Sequence, residues 1–254
     1  ILHALGRGVK NIILGLGGSA TNDCGIGMAH AFGYRFFDSD NNEPKPVGGN
    51  MSTFVKIKKP DTFPKFHLTA ACDVDNPLYG PQGAAYVFAP QKGADETMVK
   101  DLDAGLRNMA KLIKNDLGTD VADLPGAGAA GGMGAGVVAF LAGELRSGID
   151  LVLDAANYDE KLEEADYVIT GEGRMDAQSL HGKVPAGVAK RAYEKGKKVI
   201  AINGSLGEGA QEMMKVGISS IYAAVEAPKS MEEIIKTCRE DLFNVTLKAV
   251  DELR

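Results

Sequence analysis

The sequence predicts an α/β fold with largely parallel sheets and crossover helices. Short apolar runs of strand length alternate with segments of helical periodicity along most of the chain. Glycine is also in excess, 32 of 254 residues, where a background of ~7% would give roughly 18. The excess is clustered, and several clusters directly follow candidate strands.

In chain order, Ile1, Leu2 and Leu5 read as the tail of a helix, and Asn11 to Leu16 as the first strand. A glycine-rich turn and a helical stretch near Ile26 to Phe32 follow. Tyr34 to Phe37 reads as a second strand, and Asp38 to Pro46 as an exposed turn. Phe66 to Ala71 is a strand entering the loop Cys72 to Gly83, where Asn76-Pro77 and Gly80-Pro81 are turn signals. Asp95 is a natural N-cap for a helix with an apolar stripe at Met98, Leu102, Leu106, Met109 and Ile113, a spacing that denotes core packing. Residues 126–136 hold six glycines in eleven residues and run into the apolar stretch Val137 to Leu145. Leu151 to Leu153, Tyr167 to Thr170, Val199 to Ile202 and Ile221 to Val225 read as further strands. The last helix starts at Ser230, has Glu232 and Glu233 in its first turn, and repeats apolar residues at Ile234, Ile235, Cys238, Leu242, Val245, Ala249 and Leu253. A domain boundary is expected near residue 155, giving a glycine-rich α/β domain over 1–155 and a Rossmann-like or flavodoxin-like α/β part over 156–254.

Composition narrows the function classes. Hydrophobic residues make up 44% and charged residues 24%, ordinary for a globular chain. A net charge of −6, without a Lys/Arg cluster, argues against nucleic-acid partners. No apolar run approaches the ~18 residues of a membrane span, so no membrane partner is expected. Cys24, Cys72 and Cys238 are odd in number and lack zinc spacing, which suits reduced thiols and a cytoplasmic location.

Three strand-to-loop transitions carry the chemistry: Gly15 to Asp23, Cys72 to Gly83 and Gly171 to Lys183. Ligands of open parallel sheets bind outside the carboxyl ends of the strands. In the first loop, Gly17, Gly18, Ser19 and Asn22 form a candidate anion nest, because glycine lets the backbone approach a ligand and hydroxyl and amide groups donate to it. Asp23 would act as a base or hold a cation; the plainer alternative is that Ser19, Thr21 and Asn22 cap a helix. In the second, Asp73 and Asp75 could place one or two carboxylates on Mg2+, with Asp73 favoured because it directly follows the strand, or Asp75 could shape an Asx turn. The third gathers Glu172, Arg174, Asp176, Ser179, His181 and Lys183, a mixture suited to phosphate and metal together, though a solvated polar loop is the alternative. Lys183 precedes Val184-Pro185 and should stand at a helix start. His3, His30 and His67 read as packing or surface residues. Gly15-x-Gly17-x-x-Ala20 with Asp38 eighteen residues later also fits a dinucleotide fingerprint, but residues 21–27 are poor helix formers, which demotes a nicotinamide dehydrogenase of small hydroxy acids to the second reading.

Five segments, 15–23, 71–84, 90–94, 125–134 and 170–185, run in order through nearly the whole chain. They include Gly-Leu-Gly-Gly-Ser-Ala-Thr-Asn-Asp, Pro-Gln-Lys-Gly-Ala and Thr-Gly-Glu-Gly-Arg-Met-Asp-Ala-Gln-Ser-Leu-His-Gly-Lys-Val-Pro, and together they resemble the bacterial type I glycerate kinases. That resemblance implies transfer of the γ-phosphoryl group of ATP to D-glycerate with Mg2+, leaning towards 2-phosphoglycerate, and two α/β domains with an active-site cleft between them. The partners implied are D-glycerate and ATP, with a homodimer left open. Family members carry further N-terminal motifs, Asp-Ser-Phe-Lys and Ala-Asp-Gly-Gly-Glu-Gly, absent from this sequence, so a catalytically incomplete fragment that only binds ligand is a third reading. Cys24 stands where the family usually has glycine, and Asn203 where it usually has a small apolar residue. Guided by the matched motifs, Asp73, Asp176 and Lys183 are the candidate catalytic residues. Gly17, Gly18, Ser19, Asn22, Asp23, Arg174 and His181 are candidates for binding substrate or phosphate, and Asp73, Glu172 and Asp176 for metal.

Overall fold

The computed structural model describes residues 1–180, 183–227 and 229–251. It divides into two compact units, Ile1–Ser147 and Gly148–Arg254. The division falls before the helix Gly148–Ala155, earlier than the boundary expected from sequence, because Ile149 packs on Gly187 of the second unit. His181 and Leu253 lie outside the described residues.

The first unit contains α1 (Leu2–Gly6), β1 (Asn11–Gly15), α2 (Ile26–Ala31), β2 (Arg35–Phe37), β3 (Lys56–Lys58), β4 (His67–Ala71), α3 (Ala84–Phe88), α4 (Glu96–Leu112), α5 (Ala129–Leu141) and β5 (Glu144–Arg146). A parallel sheet of order β1-β4-β5 pairs Gly15 with Ala71 and Ala71 with Arg146, so these strands end at the same level. β2 and β3 form a separate antiparallel pair. β3 and β5, three residues each, carried too little period-two pattern to be read from sequence. Phe36, Phe54 and Phe140 are fully buried at the centre of the core, and the Tyr34 hydroxyl donates to the Phe140 carbonyl at 2.9 Å. α5 is buried along nearly its whole length, and its glycines and alanines let it approach neighbouring backbone closely.

The expected N-cap holds: the Asp95 side chain accepts from the Met98 amide at 2.8 Å. Leu106, Met109 and Ile113 are buried as expected, but Met98 is 53% exposed, because the buried face in the first turns of α4 runs through Val99 and Asp103. Asp103 is a buried carboxylate that accepts from the Gly80 amide at 2.6 Å and from Arg107 at 3.2 Å, while Arg107 lies over the Tyr79 ring. These contacts anchor the Cys72–Gly83 loop to α4.

The second unit contains α6 (Gly148–Ala155), α7 (Tyr158–Glu164), β6 (Tyr167–Thr170), β7 (Arg174–Met175), α8 (Val184–Glu194), β8 (Lys198–Asn203), β9 (Ser205–Leu206), β10 (Ser220–Ala223) and α9 (Met231–Asp251). Its main sheet is parallel, of order β10-β8-β6, and β7 pairs with β9 in a short parallel ladder beyond it. Leu151 to Leu153 is helical, correcting the strand expected there: a three-residue apolar run does not distinguish helix from strand, and in α6 Leu153 packs inward while Val152 stays exposed. α9 starts as expected at Ser230, whose hydroxyl and amide both donate to the Glu233 carboxylate. Its expected apolar stripe is only partly covered, since Val245 and Ala249 are buried but Ile235, Cys238 and Leu242 are exposed. Among the described residues no helix is long and apolar enough to cross a membrane.

Removing the Asp103 carboxylate leaves the buried-side Gly80 amide without its acceptor, at a cost of about 1–3 kcal/mol. Asp103→Ala should therefore lower the urea midpoint while leaving the m-value unchanged; an unaltered midpoint would show that the loop does not need this anchor.

Candidate functional site

In the first unit, the loop after β1 and the loop after β4 leave neighbouring parallel strands at the same end of the sheet. The Leu16 amide still donates to the Ala71 carbonyl at 3.1 Å, and then the chains separate. The residues that follow line a cavity of about 410 Å3 formed by Leu16, Gly17, Gly18, Ser19, Val74, Phe88, Gln91, Lys92, Ala129 and Ala130. Gly17 is not left-handed, and nothing lies within 4 Å of where its Cβ would be. Neither backbone strain nor protein packing therefore demands glycine there. Among the described residues, no acceptor is found for the amides of Gly17, Gly18, Ser19, Ala20 or Thr21, so the stretch can serve an anion as the sequence suggested.

Ala129 and Ala130 bring the start of α5 to the cavity, and there Ala130, Gly131 and Gly132 are consecutive left-handed residues. The Gly131 carbonyl accepts from both the Asp23 and Cys24 amides at 3.1 Å, and a Cβ on Gly131 would lie 2.1 Å from the Thr21 carbonyl. Cys24 itself takes φ 55°, the left-handed conformation that suits the glycine the family resemblance places there.

Asn22 and Asp23 are buried behind the cradle. The Asn22 side-chain amide donates to the Ala84 carbonyl at 3.1 Å, and its buried Oδ1 has no partner. Asp23 accepts from the Gly25 amide at 3.0 Å and the Gly27 amide at 3.4 Å. These contacts tie the Asp23 carboxylate to the turn into α2, a role distinct from the base or cation-holding role expected of it and from the capping expected of Ser19, Thr21 and Asn22. Burial pushes its carboxyl above the ordinary value, outweighing the lowering by those two amides and by Lys92.

Asp73 is exposed in the same loop as Val74 but is not among the residues lining the cavity. Lys92, not singled out from sequence, is: its ammonium donates to Ser19 Oγ at 2.7 Å and to the Thr21 carbonyl at 2.6 Å. The available signal was the Pro-Gln-Lys-Gly stretch itself, in which Pro90 opens a tight turn and left-handed Gly93 closes it, presenting the lysine between them.

In the second unit, the Gly171–Lys183 loop gathers Glu172, Arg174, Asp176 and Lys183. Ser179, fully buried, donates to Glu172 Oε1 and accepts from the Asp176 amide at 3.2 Å. Glu172 Oε2 lies 3.5 Å from Lys183 Nζ, and Asp176 Oδ2 lies 3.9 Å from Arg174 Nε. Asp176 Oδ1 also accepts from the Gln178 amide, closing the turn. Lys183 directly precedes α8, with Pro185 in its first turn, as the sequence suggested. Asn203 anchors the other side: its Oδ1 accepts from the Glu172 amide at 3.2 Å and its Nδ2 donates to the Tyr222 carbonyl. An apolar residue there would satisfy neither group. In the sequence Ser179 is one member of a polar run, and Asn203 a departure from the family pattern.

The dinucleotide reading fails on topology. Its acidic residue must end the strand parallel and adjacent to the first, whereas β2 pairs antiparallel with β3 in a different sheet. Asp38 instead accepts from the Asp40 and Asn42 amides and shapes a surface turn.

A family model for the glycerate kinase family matches residues 1–253. The chain is 47% identical over 245 residues to a glycerate kinase of Bacillus cereus and 44% identical over 245 residues to a glycerate 2-kinase of Escherichia coli, covering 95% of this chain in each case. It spans 64% of the length of each of those relatives. A crystal structure from Salmonella typhimurium LT2, named for a glycerate kinase 2, superposes with a TM-score of 0.76 at 42% identity, covering 99% of this chain and 68% of that one.

Two measurements test this geometry. Gly131→Ala should cost several-fold more stability than Gly17→Ala, which should stay within about 0.5 kcal/mol of the parent; equal urea midpoints would refute the close approach at Gly131. Because the folded chain holds the Asp23 proton more tightly than the unfolded chain, ionisation of Asp23 costs stability. That cost is absent below the ordinary value of 3.8 and complete above the raised folded value. The stability of Asp23→Asn relative to the parent should thus rise with pH above 3.8 and then level off in a urea series.

Proposed function

Since the chain belongs to the glycerate kinase family, we propose that it carries the phosphoryl-transfer machinery of an ATP-dependent kinase whose acceptor is D-glycerate. The observation that carries this reading is that each unit holds a preformed site for an anion: the cradle of Gly17, Gly18 and Ser19, whose unused amides face a cavity at the carboxyl ends of β1 and β4, and the Arg174 and Lys183 cations of the Gly171–Lys183 loop. Phosphoryl transfer asks little covalent chemistry of a protein and is dominated by positioning and charge stabilisation. An acidic chain can supply these through backbone amides and a few placed cations.

In this reading Arg174 and Lys183 neutralise phosphate oxygens, with Glu172 and Asp176 holding the two cations in place until the anion arrives. Asp176 or Asp73 accepts the proton of the attacking hydroxyl. The 2-hydroxyl is the favoured acceptor, supported by the glycerate 2-kinase of Escherichia coli among the relatives. Among the described residues no three His, Cys, Asp or Glu side chains gather around one point. Mg2+ keeps several waters and needs only one or two carboxylates beside substrate phosphates, so Glu172 and Asp176 fit it, being carboxylates of one loop in which Ser179 ties the Glu172 carboxylate to the Asp176 backbone amide. Bound Mg2+ would neutralise charge on the phosphate oxygens.

The test is ADP release when D-glycerate is added to the protein with ATP and Mg2+. Glycerate-dependent turnover is expected, with Asp176→Asn and Lys183→Ala each lowering kcat/KM by ~10²-fold, the usual consequence of removing one charge-stabilising group. Values within a few-fold of the parent would remove those residues from the mechanism, and absence of glycerate-dependent ADP would reject the kinase reading.

A further inference from the structure

We propose that the cavity beside Lys92 is the site of the acceptor acid, taking a short hydroxy-carboxylate whose carboxylate pairs with the Lys92 ammonium and the Gly17–Ser19 amides. This rests on the kinase reading and divides its two ligands, leaving the polyphosphate to other groups. Three features of the cavity support it.

The first is charge. Lys92 is the one ionisable residue among those lining the cavity. No carboxylate among the described residues lies within ion-pair distance of its ammonium, which donates only to a hydroxyl and a carbonyl. Asp23, whose charge acts on Lys92, lies off the cavity wall with its oxygens on the Gly25 and Gly27 amides. A monocarboxylate brings one negative charge to one cation. A triphosphate would bring several into a half-apolar space with a single counter-charge, and uncompensated buried charge is costly.

The second is the apolar part of the lining. Leu16, Val74, Phe88, Ala129 and Ala130 present carbon surface, which suits a short carbon skeleton better than a run of phosphate oxygens. Ser19 Oγ and the Gln91 side-chain amide are the neutral polar groups left to meet hydroxyls.

The third is rigidity. The lysine holds Ser19 and Thr21, Gly131 holds Asp23 and Cys24, and Ala130 is kept left-handed at the cavity wall although alanine disfavours that conformation. Strain of this kind persists where surrounding structure over-determines it, and it concentrates at ligand sites.

Calorimetric titration of D-glycerate into the protein without nucleotide, and separately of ATP with Mg2+, tests the division without relying on turnover. Lys92→Met should weaken D-glycerate binding by about tenfold or more and leave ATP binding within about threefold, while Lys92→Arg retains part of the glycerate affinity. Glycerol, which lacks the carboxylate, should not compete. In the ADP-release assay the same variant should raise the KM for glycerate and not that for ATP. If Lys92→Met instead weakens ATP and spares glycerate, weakens both equally, or if the parent binds glycerol as well as D-glycerate, the assignment is overturned. Failure of turnover with intact glycerate binding would count against the kinase reading alone.

Discussion

The docking of Gly131 against the backbone of residues 21–24 is the constraint on which the first unit's site depends. One carbonyl receives two consecutive amides, and the approach is so close that a single methyl group at Gly131 would overlap the Thr21 carbonyl. The loop after β1 is thereby held at both ends, at Leu16 by the sheet and at Asp23 by α5. With its ends fixed, the stretch between them need not bond to itself, and its amides remain available. Three left-handed residues in succession are the conformational consequence. Glycine accepts two of them without penalty, and Ala130 bears a cost of about 1–2 kcal/mol.

The second unit reaches the same end by different means. Its loop is organised by buried polar side chains, with Ser179 joining Glu172 to the Asp176 backbone and Asn203 joining the Glu172 amide to β10. Satisfied networks of this kind rigidify and specify a site, since each member left alone would be a costly buried polar group. Backbone docking in one unit and side-chain networking in the other both fix polar groups in advance of a ligand, so that binding need not reorganise them.

Much of the framework was legible in the residues. β1, β4, β6, β8 and β10 fall where apolar runs end in turn residues, Asp95 and Ser230 cap the helices they were expected to cap, and the Gly171–Lys183 loop does bring Glu172, Arg174, Asp176 and Lys183 together. The misreadings have physical causes. Leu151 to Leu153 is too short for its periodicity to separate helix from strand, and the stripe on α9 states which face is apolar without stating what covers it. Asp38 satisfied a spacing rule whose meaning depends on which strands are neighbours, and β2 is not a neighbour of β1.

The sequence by itself determined the alternation of strands and helices, the family, and the loops in which polar and glycine residues concentrate, because these follow from local periodicity, turn chemistry and ordered motifs. Tertiary structure alone decided that Lys92 stands over Ser19, 73 positions away in sequence, and that Asp73 does not line the cavity its loop helps to form. It also decided that glycine at 131 answers to packing while glycine at 17 does not. Those are statements about which backbone lies against which, and they are settled only when sheet order and helix docking bring distant segments within van der Waals reach.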